Sequence, residues 1–268
     1  MSFRAIAITA GCGVLLIALL QVVLVPALTA QSVFWYTAAL RTLLLAMVAI
    51  AAALAANAFG WWKEYIGRAW TLFFAEYGIL TLSEILRRGL PEATLARDVC
   101  VTLANLAGIG AYVLVARSLK AAGLGFAQST PRKIAAGALA FVLAAALCYG
   151  PIVSSLRALG TPEASVGSLV SPVADVITFL LVAPLLLTTF ALRGGQIFWM
   201  FALLTTGTIG WMVNQGAGTI ITLLGGGNDA IRAGRMTGFA MACLLIAAAA
   251  LTQWLAAQRA MKGALAHA

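Results

Sequence analysis

GRAWTLFFAEYGILTLSEILRRG, residues Gly67 to Gly89, has the length of a membrane-spanning helix and a carboxylate near its middle. About 20 apolar residues cross the hydrocarbon of a bilayer. Glu76 stands about ten residues from either end, ~15 Å at the helical rise. A charge at that depth is costly unless it faces the interior of a bundle or a water-filled cavity. The stretch therefore predicts a polytopic bundle with something polar inside it.

The rest of the chain agrees. Of 268 residues, 63% are hydrophobic and only 9% charged, too little charge to cover a soluble surface. Mean hydropathy is +1.01, in the polytopic membrane range. Eight helical segments are expected, at roughly 5–28, 33–58, 63–86, 94–117, 132–156, 166–192, 196–223 and 231–257. Breakers fall between them at Gly60, Gly89–Pro91, Gly123–Pro131, Gly160–Pro162, Gly194–Gly195 and Gly225–Gly227. The fold class is all-α, a single transmembrane domain over 1–268. No stretch is polar enough for a kinase, nuclease or ATPase module. Arg4, the apolar run after it and Val25-Pro26-Ala27 imitate a signal peptide, but the run suits a retained first helix better.

The formal charge of +9 is scattered in short connections, which speaks against nucleic-acid binding and for membrane orientation. With the N-terminus cytoplasmic, the inner side carries Arg4, Lys63, Arg68, Arg117, Lys120, Arg132, Lys133, Arg193, Arg259 and Lys262. The outer side carries Arg87, Arg88, Arg97, Arg157, Arg232 and Arg235, fewer than the inner side. Both termini are expected in the cytoplasm, with the chain in the cytoplasmic (inner) membrane.

The opening stretch also exposes a duplication. Setting Trp70 on Trp199 sets Gly78 on Gly207, and Arg4 falls near Arg132 and Lys133. The chain reads as a parallel 4+4 repeat, with halves 1–122 and 131–262 joined by a cytoplasmic loop at 118–131.

Enzyme chemistry lacks its parts. The only histidine is His267, so haem, a histidine-ligated metal and a serine–histidine–acid set are not expected within the membrane. No P-loop pattern occurs, and Gly225-Gly226-Gly227-Asn228-Asp229 reads as a turn whose Asn228 or Asp229 caps the last helix. Cys12, Cys100, Cys148 and Cys243 lack metal or redox spacing and read as buried small hydrophobes. No cofactor is expected.

The intramembrane polar residues carry the functional reading. Arg41, Glu76 and Asp175 lie at depth, and Arg41 and Asp175 occupy matched depths in the pseudo-equivalent second and sixth helices. An Arg41–Asp175 ion pair is expected, with Glu76 within Arg41's reach. Glu84, three and four residues before Arg87 and Arg88, reads instead as an interfacial anchor. In the seventh segment, Asn214 and Gln215 precede Gly216 and Gly218, a run suited to unwinding around a ligand or to close helix packing. Gly234, Gly238 and Ala242 form a ridge of small residues for packing. Pro172 and Pro184 are expected to kink the sixth segment on either side of Asp175.

Arg41, Glu76, Asp175, Asn214 and Gln215 are thus the candidate ligand- or ion-binding residues. A fixed internal network and a responsive centre both remain open for them. The first expectation is a small-molecule or ion transporter with a charged midplane site between repeat halves. The alternative is a sensory or assembly module that binds a ligand, a partner membrane protein or a second copy without transport. The layout, with Arg68-Ala69-Trp70 opening the third segment, resembles multi-helix membrane sensor regions attached to bacterial signalling enzymes, which implies the sensory alternative.

Overall fold

A computed structural model describes residues 2–90, 92–123, 130–159, 161, 165–191 and 196–266. Among the described residues the chain is entirely helical, without strands. The long helices are α1 (Phe3–Val23), α2 (Ala30–Ala58), α3 (Tyr65–Gly89), α4 (Thr94–Ala121), α5 (Thr130–Ala158), α6 (Val166–Ala191), α7 (Gln196–Leu223) and α8 (Asp229–Ala266). All eight are long and apolar enough to cross a membrane. The expected connection at 118–131 falls partly outside the described residues, as do Arg193 and Glu163.

Local chemistry sets the helix ends. Ser2 Oγ accepts the Ala5 N–H at 3.1 Å, and Asn228 Oδ1 accepts the Ile231 N–H at 2.9 Å, so Asn228 is the cap anticipated for α8. α2 stops in a Schellman motif: Gly60 N–H donates to Asn57 O and Trp61 N–H to Ala56 O. Gly60 takes the left-handed conformation this needs, at φ +66°, and Trp61 follows at φ +55°. α7 stops in the same way at Gly225, φ +67°. The turn after α2 rests on Gly67, where a Cβ would stand 2.6 Å from the Trp61 carbonyl oxygen.

Six helices close a ring in the order α2, α3, α4, α6, α7, α8, and α1 lies outside against α8 while α5 lies against α6 and α7. Successive helices alternate in direction. The end away from the chain termini is called the distal end below. It is there that Asp98 at the start of α4 accepts the Ser165 hydroxyl and the Val166 N–H at the start of α6, at 2.5 and 2.9 Å. The main core joins α2, α3, α4, α7 and α8 around Val48, Trp70, Phe73, Tyr112, Leu204 and Ile246. A smaller core links Ala144, Cys148 and Phe179. All four thiols are free, but only Cys148 and Cys243 are buried; Cys12 is exposed on the outer face of α1.

Three prolines stand inside helices, Pro151 in α5 and Pro172 and Pro184 in α6, and at two of them a neighbouring helix answers the carbonyl left without a donor. Pro151 has no N–H for Leu147 O, which instead accepts the Thr219 hydroxyl of α7. Pro172 has none for Ser168 O, which accepts the Ser155 hydroxyl at 2.8 Å. Hydrocarbon would leave both unsatisfied.

Of the two readings open for Asn214–Gly218, close packing is the one found: α7 is a continuous helix through the run. Thr205, Thr208 and Thr222 turn their hydroxyls back onto carbonyls four residues earlier in α7 itself. The glycines serve packing. A Cβ at Gly210 would stand 2.6 Å from Ala242 N, and one at Gly238 would stand 2.8 Å from Gly210 O. Gly234, expected on the same ridge, meets nothing within 4 Å. The final helix also runs beyond the expected end near 257. Gly238→Ala should therefore cost about 1–3 kcal/mol of stability through overpacking, whereas Gly234→Ala should be neutral or slightly stabilising. Thermal unfolding of both variants in nanodiscs checks this, and equal unfolding temperatures would contradict the α7–α8 contact.

Candidate functional site

The ring encloses a cavity of about 220 Å³ near mid-bundle, lined by all six of its helices. Arg41, Glu76, Asp175, Asn214 and Gln215 all border it. The five residues singled out in the sequence thus share one space, although not in the expected pairs.

Arg41 does not reach Asp175 or Glu76. Its Nε and Nη2 both donate to Glu84 Oε1 at 3.0 Å. Glu84 Oε2 accepts Arg87 Nη2 at 2.9 Å and Arg88 Nη2 at 3.0 Å. The expected local pairs are present, yet Glu84 is not a surface anchor: it is buried, at 8% exposure, and ties α2 to α3. The cause lies in Arg41's length. A long cationic side chain in a membrane turns its head toward the nearer interface, where Glu84 waits near the distal end of α3. The guanidinium also lies over the Phe239 ring, 4.4 Å from its centroid. Arg88 extends the cluster to α2 by donating to Thr42 Oγ1 at 3.4 Å.

Deeper in the cavity the acids lack cations. Asp175 accepts the Gln215 side-chain amide, the one polar tie between α6 and α7 found there among the described residues. Among the described residues Glu76 makes no ion pair, and its Oε2 is buried without a hydrogen-bond partner. Asn214 is 6% exposed, and its Oδ1 is likewise unpartnered. Glu76 has room only because α4 presents Gly108, where a Cβ would stand 2.6 Å from Glu76 Oε1. Val101, Asn105, Gly108 and Tyr112 recur at helical spacing, so one stripe of α4 faces the acid. That stripe was legible in the sequence and overlooked. Arg235, counted among the outer-side cations, is exposed and also borders the cavity, six residues inside α8.

The end nearer the chain termini is sealed. Tyr112 OH and Thr208 Oγ1 hydrogen-bond at 2.8 Å, and Trp211 Nε1 donates to Tyr77 OH at 3.3 Å. Phe73 stands edge-on to Tyr112, centroids 5.1 Å apart, and has no exposed surface; nor has Trp70 beside it. Toward the distal end the situation reverses. Arg41, Asn214 and Arg235 also line a vestibule of about 750 Å³, bordered by Gln21, Arg87 and Arg232. Arg41 and Arg235 form a neck between an arginine-rich mouth and an acidic chamber, and Asn214 borders both spaces. Among the described residues, no three His, Cys, Asp or Glu side chains converge as a metal site.

No family model, curated protein or solved structure matches this chain.

Glu84→Gln should lower stability by about 3 kcal/mol, because it strips three guanidiniums of their common partner. Glu76→Gln should leave stability unchanged or raise it, because that carboxylate has no partner to lose. A double-mutant cycle should show coupling above about 0.5 kcal/mol for Arg41 with Glu84 and additivity for Arg41 with Asp175. Thermal unfolding of the purified variants reads both, and additive effects for Arg41 and Glu84 would break the assignment.

Proposed function

We propose that this chain is a transporter for a small polar solute or ion, bound at mid-membrane between Glu76, Asp175, Asn214 and Gln215. The observation that carries the reading is a polar cavity that shares Arg41, Asn214 and Arg235 with a vestibule at one end and meets packed aromatics at the other. Alternating-access carriers hold their site near the midplane and open it to one side at a time. Few other roles explain unpartnered polar atoms placed so deep.

The ring order supports a role for the duplication. Exchanging α2, α3, α4 with α6, α7, α8 maps the α2–α8 neighbours onto α6–α4. The outer pair departs from this exchange, since α1 packs on α8 and α5 does not pack correspondingly on α4. Trp70 is fully buried while Trp199 is only partly so, a further departure from the repeat halves. We take the repeat as a feature of the six ring helices, where the solute binds.

We place the chain in the cytoplasmic membrane with both termini inside, following the Lys and Arg bias. The open vestibule then faces outward. No catalytic step belongs to this reading. Its partners are the bilayer and the solute. The alternative, a ligand sensor or assembly module, uses the same cavity without passage.

Site accessibility separates the two without knowledge of the solute. Thr178 lines the cavity, and the native thiols are Cys12, Cys100, Cys148 and Cys243. With those four replaced, Thr178→Cys should react with membrane-impermeant thiol reagents from both faces of proteoliposomes. Reaction from the distal face alone would sink transport and leave the sensory reading.

A further inference from the structure

Two opposite charges without partners border the same small cavity. Arg235 makes no ion pair or hydrogen bond among the described residues and stands at the neck. Glu76, deeper, has no cation and a buried oxygen without a donor. Asn214 adds a second buried acceptor, also unpartnered. Gln215 donates to Asp175 and reaches neither acceptor.

The remaining charge is already spent. Glu84 is shared by Arg41, Arg87 and Arg88, so that cluster carries excess positive charge at the distal end. A bare cation entering from the vestibule must pass those arginines and Arg235 to reach the acids. A bare anion is welcome at the neck but meets Glu76 and Asp175 below it. A solute carrying both charges, anion outward and cation inward, opposes neither field.

We propose that the solute is a small zwitterion, its carboxylate held by Arg235 at the neck and its ammonium by Glu76, Asp175 and Asn214 below. The inference rests on the solute-binding reading above and names the class of molecule that site takes. The ammonium supplies the donors that Glu76 Oε2 and Asn214 Oδ1 lack, and it compensates two buried acids that would otherwise stand uncompensated. The rings of Tyr77 and Trp211 line the same chamber, and the Phe239 ring already holds the Arg41 guanidinium. The cavity, about 220 Å³, lies below the ~300 Å³ where drug-sized pockets begin, so the skeleton is short. Along the bundle axis, Arg235 and Glu76 lie on the order of 10 Å apart at 1.5 Å per residue. The arginine side chain takes up much of that, which leaves a spacer of a few bonds between the two charges.

The test is binding to the purified full-length protein in nanodiscs, read by calorimetry and thermal shift. The probes are the common α-amino acids and short ω-amino acids, each with its methyl ester, which keeps only the cation, and its N-acetyl derivative, which keeps only the anion. At least one free amino acid should bind, with both derivatives weaker by at least about ten-fold. Arg235→Gln should weaken the free amino acid by a similar factor and leave the ester unchanged. Glu76→Gln should weaken the amino acid and the ester alike; both variants are checked for folding by their unfolding temperature. An ester or an N-acetyl derivative that binds as tightly as its parent overturns the proposal, as does binding by no member of the panel. The Thr178→Cys labelling is blind to solute identity, so transport can stand while the zwitterion falls.

Discussion

Hydrocarbon offers no hydrogen bonds, and every polar group carried into this bundle must find its partner inside the protein. Most of the architecture can be read as answers to that demand. Thr219 reaches across to the Leu147 carbonyl that Pro151 strands, and Ser155 does the same for Ser168 ahead of Pro172. Thr205, Thr208, Thr189 and Thr252 bond carbonyls of their own helices. Glu84 collects three arginines and thereby fixes α3 against α2. Against that background four buried side-chain atoms stay unanswered among the described residues; Trp70 Nε1 and Arg88 Nε are two of them. Glu76 Oε2 and Asn214 Oδ1 face the one space that six helices share.

The Glu84 cluster also determines the electrostatics of the site by what it removes from it. Were Arg41 turned down toward Asp175, the chamber would be a closed ion pair with little reason to take a ligand. Bound upward to Glu84, Arg41 becomes part of the neck, and two acids remain below without a cation. Burying an uncompensated carboxylate costs several kcal/mol, a penalty that a bound ammonium relieves. Stability and binding are therefore coupled through a single side-chain direction: the same bond that fastens α2 to α3 leaves the chamber short of positive charge.

The chain's architecture was legible because hydrophobic length and glycine or proline punctuation are local signals. Eight segments and the Asn228 cap follow from them directly. The four glycines of α7 were ambiguous. Glycine permits unwinding and close packing equally, and only the partner helix decides; here Ala242 and Gly238 of α8 crowd Gly210, and Leu147 and Pro151 of α5 stand against Gly216 and Gly218. The candidate site residues were legible as a set, because charge and amide groups at depth are rare. Their pairing was not. Matched depth in Arg41 and Asp175 suggested contact, but helical depth locates a Cα, while an arginine head travels several bonds from it. Arg235 fell within the expected eighth segment, 231–257, but was weighed only as an outer-side cation; a count by side does not say which face of the helix a residue takes, and the structure sets it at the border of the cavity. The Asn105–Gly108–Tyr112 stripe failed to register because a glycine beside an acid looks like packing until the acid's own position is known.

The distribution of close contacts says where such a site can change shape. α7 and α8 meet backbone to backbone at Gly210 and Gly238, and α3 and α4 meet through Gly108, so each pair moves as a unit if it moves at all. Around the cavity, α6 and α7 are joined in a different way, by the Asp175–Gln215 hydrogen bond. That bond uses the carboxylate an entering ammonium would also seek. A ligand that draws Asp175 toward itself competes with the tie between α6 and α7, and the cost of loosening the tie falls as the ligand supplies the replacement donor. The aromatic seal at Tyr112, Thr208, Tyr77 and Trp211 spans α4, α7 and α3 just beneath the same residues. In the proposed carrier, solute binding and the sealing contacts would act on the same turns of the same helices, as a midplane site that opens first to one face and then to the other requires.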